Sequence, residues 1–279
     1  MTGGRDLRLL LADVDGTLVT KDKVLTPAAR TAVQALRDAG VDFGITSSRP
    51  PQGLRMLIEP LDLKIVIAGL NGGLYAKPDL NGPNLPVVER HKLDPATATK
   101  TVELLSDKGL DVWIYTDDDW LVRQAAAPHV ARETWILQFN PTVVPAFTPD
   151  HLARAIKIVG VSDDHALVAA CEKLARAALG EAASAARSEA HFLDVTNPDA
   201  NKGAVVLTLA KLLNISPIQI ATIGDMQNDV LMFKTSGLSI AMGNASDEVK
   251  AQATHVTDTN DNDGFAKAVQ QFVLGARAS

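Results

Sequence analysis

The chain has one cysteine, Cys171, so no intramolecular disulfide is available. Its place in the helical pattern Leu167, Ala170, Cys171, Leu174 reads as core filling and not as a reactive thiol. No apolar run approaches the ~18 residues that a membrane-spanning helix needs. The N-terminal Leu9-Leu10-Leu11-Ala12 is too short for a signal-peptide core and runs directly into Asp13-Val14-Asp15. A basic surplus is also missing: 27 Lys and Arg stand against 33 Asp and Glu, a formal charge of -6. That balance argues against broad binding of nucleic acid or anionic membrane, both of which need a basic face. What remains, 279 residues with 46% hydrophobic and 22% charged, is the composition of a folded enzyme of two domains with the cytoplasm as its expected location.

Residues 7–12 are nearly all apolar, as a strand covered on both faces of a parallel sheet requires. Thr26 as N-cap, Pro27 at the first helical position, a face of Ala29, Ala32, Val33 and Leu36, and Gly40 as the stop then predict a helix. A strand over 41–46, a helix over 52–58 and a third strand over 65–68 continue the alternation. The same grammar returns as a helix over 202–213, a strand over 220–223, a helix over 230–234 and a strand over 238–242. Such alternation implies right-handed βαβ units and an α/β parallel sheet. Between the two ends the pattern changes. Short strands at 112–115, 120–122 and 156–159 mix with helices such as 164–179, so an α+β domain is expected to be inserted into the α/β one.

Two acidic clusters follow apolar strands. In Asp13-Val14-Asp15-Gly16-Thr17, strand alternation sends Asp13 and Asp15 to the same side, where like charges repel unless a cation or shared proton intervenes. Gly224-Asp225-Met226-Gln227-Asn228-Asp229 supplies two more carboxylates at another strand's carboxyl end, the edge where open α/β sheets bind ligands. Hard oxygen ligands converging from two loops suit Mg²⁺. Ser47, after a strand, and Lys202, opening a helix, are placed to meet a phosphate dianion.

Taken in order, these segments resemble the four motifs of the haloacid dehalogenase superfamily of phosphohydrolases, in the Cof-like branch with a large cap of the C2, C2B type. The resemblance implies a Rossmann-like core over residues 1–82 and 194–279, and a cap over 83–193. It also implies a Mg²⁺-dependent phosphatase acting on a small phosphorylated metabolite, sugar phosphates first and phosphorylated cofactors next. Asp13 would be the nucleophile, Asp15 the acid and base, and Ser47 and Lys202 the stabilisers of the phosphoryl oxygens. Mg²⁺ would lie against Asp13, Asp15 and Asp225, with Asp229 in the metal shell or orienting Lys202. Asn71 and Asn228 would help hold the phosphate, and Arg49 would reach toward the cap and the leaving group. Where many relatives read Thr-Gly-Arg, this chain has Ser47-Ser48-Arg49, which puts an extra side chain, Ser48, near the substrate. A phosphomutase or phosphotransferase, or a silent phosphometabolite-binding regulator, are the alternatives; intact Asp13, Asp15, Lys202 and Asp225 argue against the last. The cap's tryptophans are expected to be packing, and its five histidines lack metal-ligand spacing.

Overall fold

The computed structural model describes residues 6–79 and 84–275. A five-stranded parallel sheet carries, in spatial order, His255–Val256, Leu238–Ala241, Ile220–Gly224, Leu9–Ala12 and Asp42–Ile45. Strand Leu9–Ala12, paired on both sides, is buried throughout, and alternation divides its side chains between two cores. Leu10 and Ala12 pack with helix Pro27–Asp38 and the C-terminal Phe265 and Val269. Leu9 and Leu11 pack with helices Lys202–Leu213 and Val230–Thr235. The cap of Pro27–Asp38 is the expected one, with Thr26 Oγ1 accepting from Ala29 N–H and Gly40 in the left-handed region.

The stretch expected to give a third parallel strand behaves differently. Ile67–Gly69 touches the core sheet through a single parallel bridge, Thr46 to Ala68, and then turns into a three-stranded antiparallel sheet with Leu74–Ala76 and Val87–Arg90. The cause is local. Leu70 and Asn71 take left-handed conformations, and their N–H groups donate to Arg49 and Ser47 carbonyls instead of continuing a ladder. A loop of the parallel sheet is thereby tied to the hairpin that leads out of it.

The second large sheet has six strands in the order Ser184–Glu189, Phe192–Thr196, Lys157–Val161, Asp111–Tyr115, Trp120–Val122 and Thr142–Val143, all antiparallel except the last pair. One face is covered by helices Pro95–Asp107 and His165–Leu179. The other face, with Trp113, Tyr115 and Trp120, packs with helix Val130–Leu137 and with Leu70 and Leu74. Trp113 and Trp120 are packing residues, as expected, whereas Trp135 is 57% exposed. The sequence border at 82/83 lies outside the described residues. The return border at 193/194 falls within Phe192–Thr196, a strand of this second sheet. No helix among the described residues is long and apolar enough to cross a membrane.

Candidate active site

Asp13 directly continues the Leu9–Ala12 strand, and its N–H donates to the Ile223 carbonyl of the neighbouring strand. Continued alternation puts its side chain on the Leu9 and Leu11 side, toward the start of helix Lys202–Leu213. There Lys202, buried, places Nζ 2.6 Å from Asp13 Oδ1 and 2.6 Å from Asp229 Oδ1. Burial alone would discharge this lysine, but the two carboxylates reverse that and push its pKa above the ordinary value. The other oxygen of Asp229 accepts from Asp225 and Met226 N–H, each at 2.9 Å. Both oxygens of Asp229 are therefore engaged, holding Lys202 on one side and folding the 225–229 loop on the other.

Asp225 approaches from the adjacent strand end. Thr17 donates to one of its oxygens at 3.1 Å and Asn244 to the other at 3.2 Å. Gly16, at φ +77°, lies against this carboxylate so closely that an added Cβ would overlap it. Asp13, Asp225 and Asp229 are all buried and can bring oxygens within 4.8 Å of one another. Burial, then the charge of Asp229 acting against Lys202, pushes the Asp13 carboxyl up to about 7. Burial, Asp13 and Asp229 hold Asp225 well above the usual carboxylate range. Two buried carboxyls driven toward neutrality around one lysine form a donor set short of positive charge, and their hard oxygens fit a divalent cation.

Asp15 sits where the strand has ended. Burial would raise its pKa, but Arg49 and Lys23 overcome that and hold it down to about 2. Arg49 binds it in a fork, Nε to Oδ2 at 2.7 Å and Nη2 to Oδ1 at 2.5 Å, and Lys23 Nζ adds a 2.7 Å contact. Arg49 also donates to the Ile136 carbonyl at 3.3 Å, so it reaches the cap while holding a core carboxylate. Asp13, Asp15, Lys202, Asp225, Asn228 and Ser48 line one open cleft of about 360 Å³.

Ser47 is buried beside that cleft. Its Oγ accepts from Arg49 N–H at 3.1 Å, shaping the loop, and Ser48 is the serine that lines the opening. Asn71 donates to Asp194 at 2.6 Å and accepts from Asn228 at 3.1 Å. Lys157 joins the same network, donating to the Ser48 carbonyl at 2.8 Å and pairing with Asp194 at 3.3 Å. Sequence reasoning missed Lys23, Lys157, Glu133, Glu189 and Asn244. Of these only Asn244 carried a signal, because it follows the carboxyl end of strand Leu238–Ala241.

Comparison with known proteins agrees with this geometry. Residues 10–269 match the family model for haloacid dehalogenase-like hydrolases. The chain is 27% identical to the Bacillus subtilis 5-amino-6-(5-phospho-D-ribitylamino)uracil phosphatase YwtE, across 98% of this chain and 100% of that one. It is 24% identical to the Escherichia coli pyridoxal phosphate phosphatase YbhA, across 96% and 99%. Among solved structures, a haloacid dehalogenase-like hydrolase from B. subtilis superposes with a TM-score of 0.82 at 23% identity, across 95% and 100%.

Proposed function

Because the chain belongs to the haloacid dehalogenase-like hydrolases, we propose that it is a Mg²⁺-dependent phosphatase of small phosphorylated metabolites, working through a phosphoenzyme on Asp13 in the cytoplasm. The observation that carries this reading is the placement of Asp13. Its carboxylate faces the cleft with Lys202 at 2.6 Å, Asp225 beside it and Asp15 two residues on. In the reaction, an Asp13 oxygen bonds to phosphorus as the ester P–O bond breaks. The departing alkoxide takes a proton from Asp15, which later accepts one from the water that cleaves the acyl phosphate.

With Arg49 and Lys23 on it, Asp15 is an anion. A phosphate dianion entering beside it competes for both cations, and that release lets Asp15 carry the proton it must deliver. Lys202 neutralises a phosphoryl oxygen, a donor worth about 3–4 kcal/mol in the transition state. Ser48 and Asn228 line the cleft as further contacts, while Ser47 and Asn71 shape the loops behind them. Asp13, Asp225 and the Asp15 main-chain carbonyl would hold Mg²⁺, which supplies charge neutralisation between the anionic nucleophile and the anionic substrate. Sugar phosphates and phosphorylated cofactors form the first substrate panel, since the named relatives act on a phosphoribityl pyrimidine and on pyridoxal phosphate.

The test is phosphate release from p-nitrophenyl phosphate by wild type and Asp13→Asn, each with Mg²⁺ and with chelator. Wild type is expected to turn over only with metal, and the folded variant to be inactive. Metal-independent release that survives Asp13→Asn sinks the assignment.

A further inference from the structure

A small void of about 20 Å³ reaches from Asp15 in among the cap residues Trp113, Glu133 and Phe192, and Lys202 does not line it. Asp15, Lys23, Ser48 and Ser188 line both this void and the open cleft, so the two are continuous past the residue that would protonate a leaving group. A phosphoryl group on Asp13 therefore directs its ester substituent toward this void. The charged side chains that meet there divide into groups already answered and one that is not.

Arg49 and Lys23 are paired with Asp15, and Lys23 also faces Glu189 at 4.0 Å. Lys157 is paired behind the wall with Asp194 and lies 4.9 Å from the Tyr115 ring centroid. Glu133, brought in by helix Val130–Leu137, lines the void, and among the described residues its carboxylate has no hydrogen bond and no ion pair within 4 Å. Its pKa is pushed up to about 7, by burial first and then by Glu189 and Asp15, against the pull of Lys157 and Arg49. Asp15, Glu189 and Asp194 each have a basic side chain within 4 Å, Glu189 meeting His191 at 3.3 Å as well as Lys23, and Glu133 is the carboxylate left without one. Among protein groups Glu133 finds no donor, so water alone can meet its carboxylate, and a ligand donor that takes the place of that water gains a charge-assisted hydrogen bond.

Building on the phosphatase reading, we propose that Glu133 is a specificity-determining residue that selects phosphomonoesters bearing a terminal ammonium group on the leaving group. The size of the void supports a terminal group and not a ring, because about 20 Å³ accommodates one water-sized moiety. The unpaired Glu133 carboxylate favours an ammonium over a hydroxyl, since only the former brings a hydrogen-bond donor and the opposite charge together.

The experiment is calorimetric binding, with Mg²⁺ present, of the matched pair 2-aminoethyl phosphate and 2-hydroxyethyl phosphate. It uses Asp13→Asn, which prevents turnover, and Asp13→Asn/Glu133→Gln, with melting curves to verify that both are folded. The expected result is at least a ten-fold preference for the amine in the first protein and its loss in the second, because glutamine keeps the acceptor and removes the charge. Equal affinities in Asp13→Asn, or a preference that survives Glu133→Gln, overturns the proposal. Phosphate release by wild type is read separately. If it fails while the amine preference still depends on Glu133, the phosphatase reading falls and the assignment of Glu133 stands.

Discussion

Glu133 has a consequence for stability as well as for binding. Its folded pKa of about 7 lies above the ordinary 4.5, so between those values the unfolded chain binds fewer protons than the folded one. Stability contributed by this group is therefore lost as pH rises from 4.5 to 7 and stays low above that. Glu133→Gln should raise stability at pH 8 by about 1–2 kcal/mol, once solvent screening at a half-buried site is allowed for. That is a rise of several degrees in Tm with no gain at pH 4; equal curves at both pH values would contradict it. Gly16 poses a different single-residue problem. A methyl there meets the Asp225 carboxylate, whereas at Gly40, also left-handed at φ +71°, nothing lies within 4 Å. Both Ala variants should lose about 1–2 kcal/mol to backbone strain, but only Gly16→Ala should also lose about 100-fold in kcat by displacing a site carboxylate. Similar activities for the two would show that the contact does not matter. Asp13, Asp225 and Lys202 were legible because they sit at strand and helix ends, where a side chain's direction follows from the element. Lys23, Glu133 and Glu189 were not, since a turn, an unpredicted helix and the end of a cap strand deliver them, and no local pattern reports on what those segments face.

Among the elements, strands Lys157–Val161 and Phe192–Thr196 share a buried ion pair whose members also reach two core loops. Lys157 and Asp194 together hold the Ser48 carbonyl and the Asn71 amide, the two loops flanking the cleft. Lys157→Met would leave Asp194 buried without its cation, and breaking such a pair costs about 3–5 kcal/mol. Adding Asp194→Asn should recover most of that loss, because the stranded charge is then gone. A double-mutant cycle on thermal or urea unfolding measures the coupling, and additive effects would show that the pair does not act as a unit. Most long elements were readable from sequence: helix Lys202–Leu213 and strand Trp120–Val122 fall on the expected residues. Their ends carry local signals, such as the Asn201 side chain accepting from Ala204 N–H. The strand expected over 65–68 forms as Ile67–Gly69, but its antiparallel pairing was not legible, because Leu70 and Asn71 take conformations that no periodicity encodes and that tertiary hydrogen bonds to Arg49 and Ser47 enforce. Helix Val130–Leu137 is flanked by two left-handed residues, His129 and Gln138, neither of them glycine, so its ordinary boundary signals are missing.

For the whole molecule, the site is a place where folding gathers like charge that nothing in the chain fully offsets. Asp13 and Asp225 are buried beside Asp229, and a single lysine answers all three. A cation bound there stabilises the folded chain by mass action, about 2.7 kcal/mol at a hundred times its Kd. For a chain of this size that corresponds to a Tm rise of about 4–5 °C. Asp225→Asn separates this effect from ordinary folding energy. The amide can keep both neighbours, its oxygen accepting from Asn244 while its nitrogen donates to the Thr17 hydroxyl, so little packing is lost. Without metal the variant should therefore melt higher than wild type, because the folded chain no longer has to bury or protonate a carboxylate beside Asp13 and Asp229. With Mg²⁺ the order should reverse, since wild type gains the binding energy and the variant does not. The crossing of the two melting temperatures with and without Mg²⁺ needs no substrate, and it follows only if these carboxylates hold the cation. If Mg²⁺ raises both equally, the ion acts elsewhere and the acidic cluster is stabilised by protonation instead.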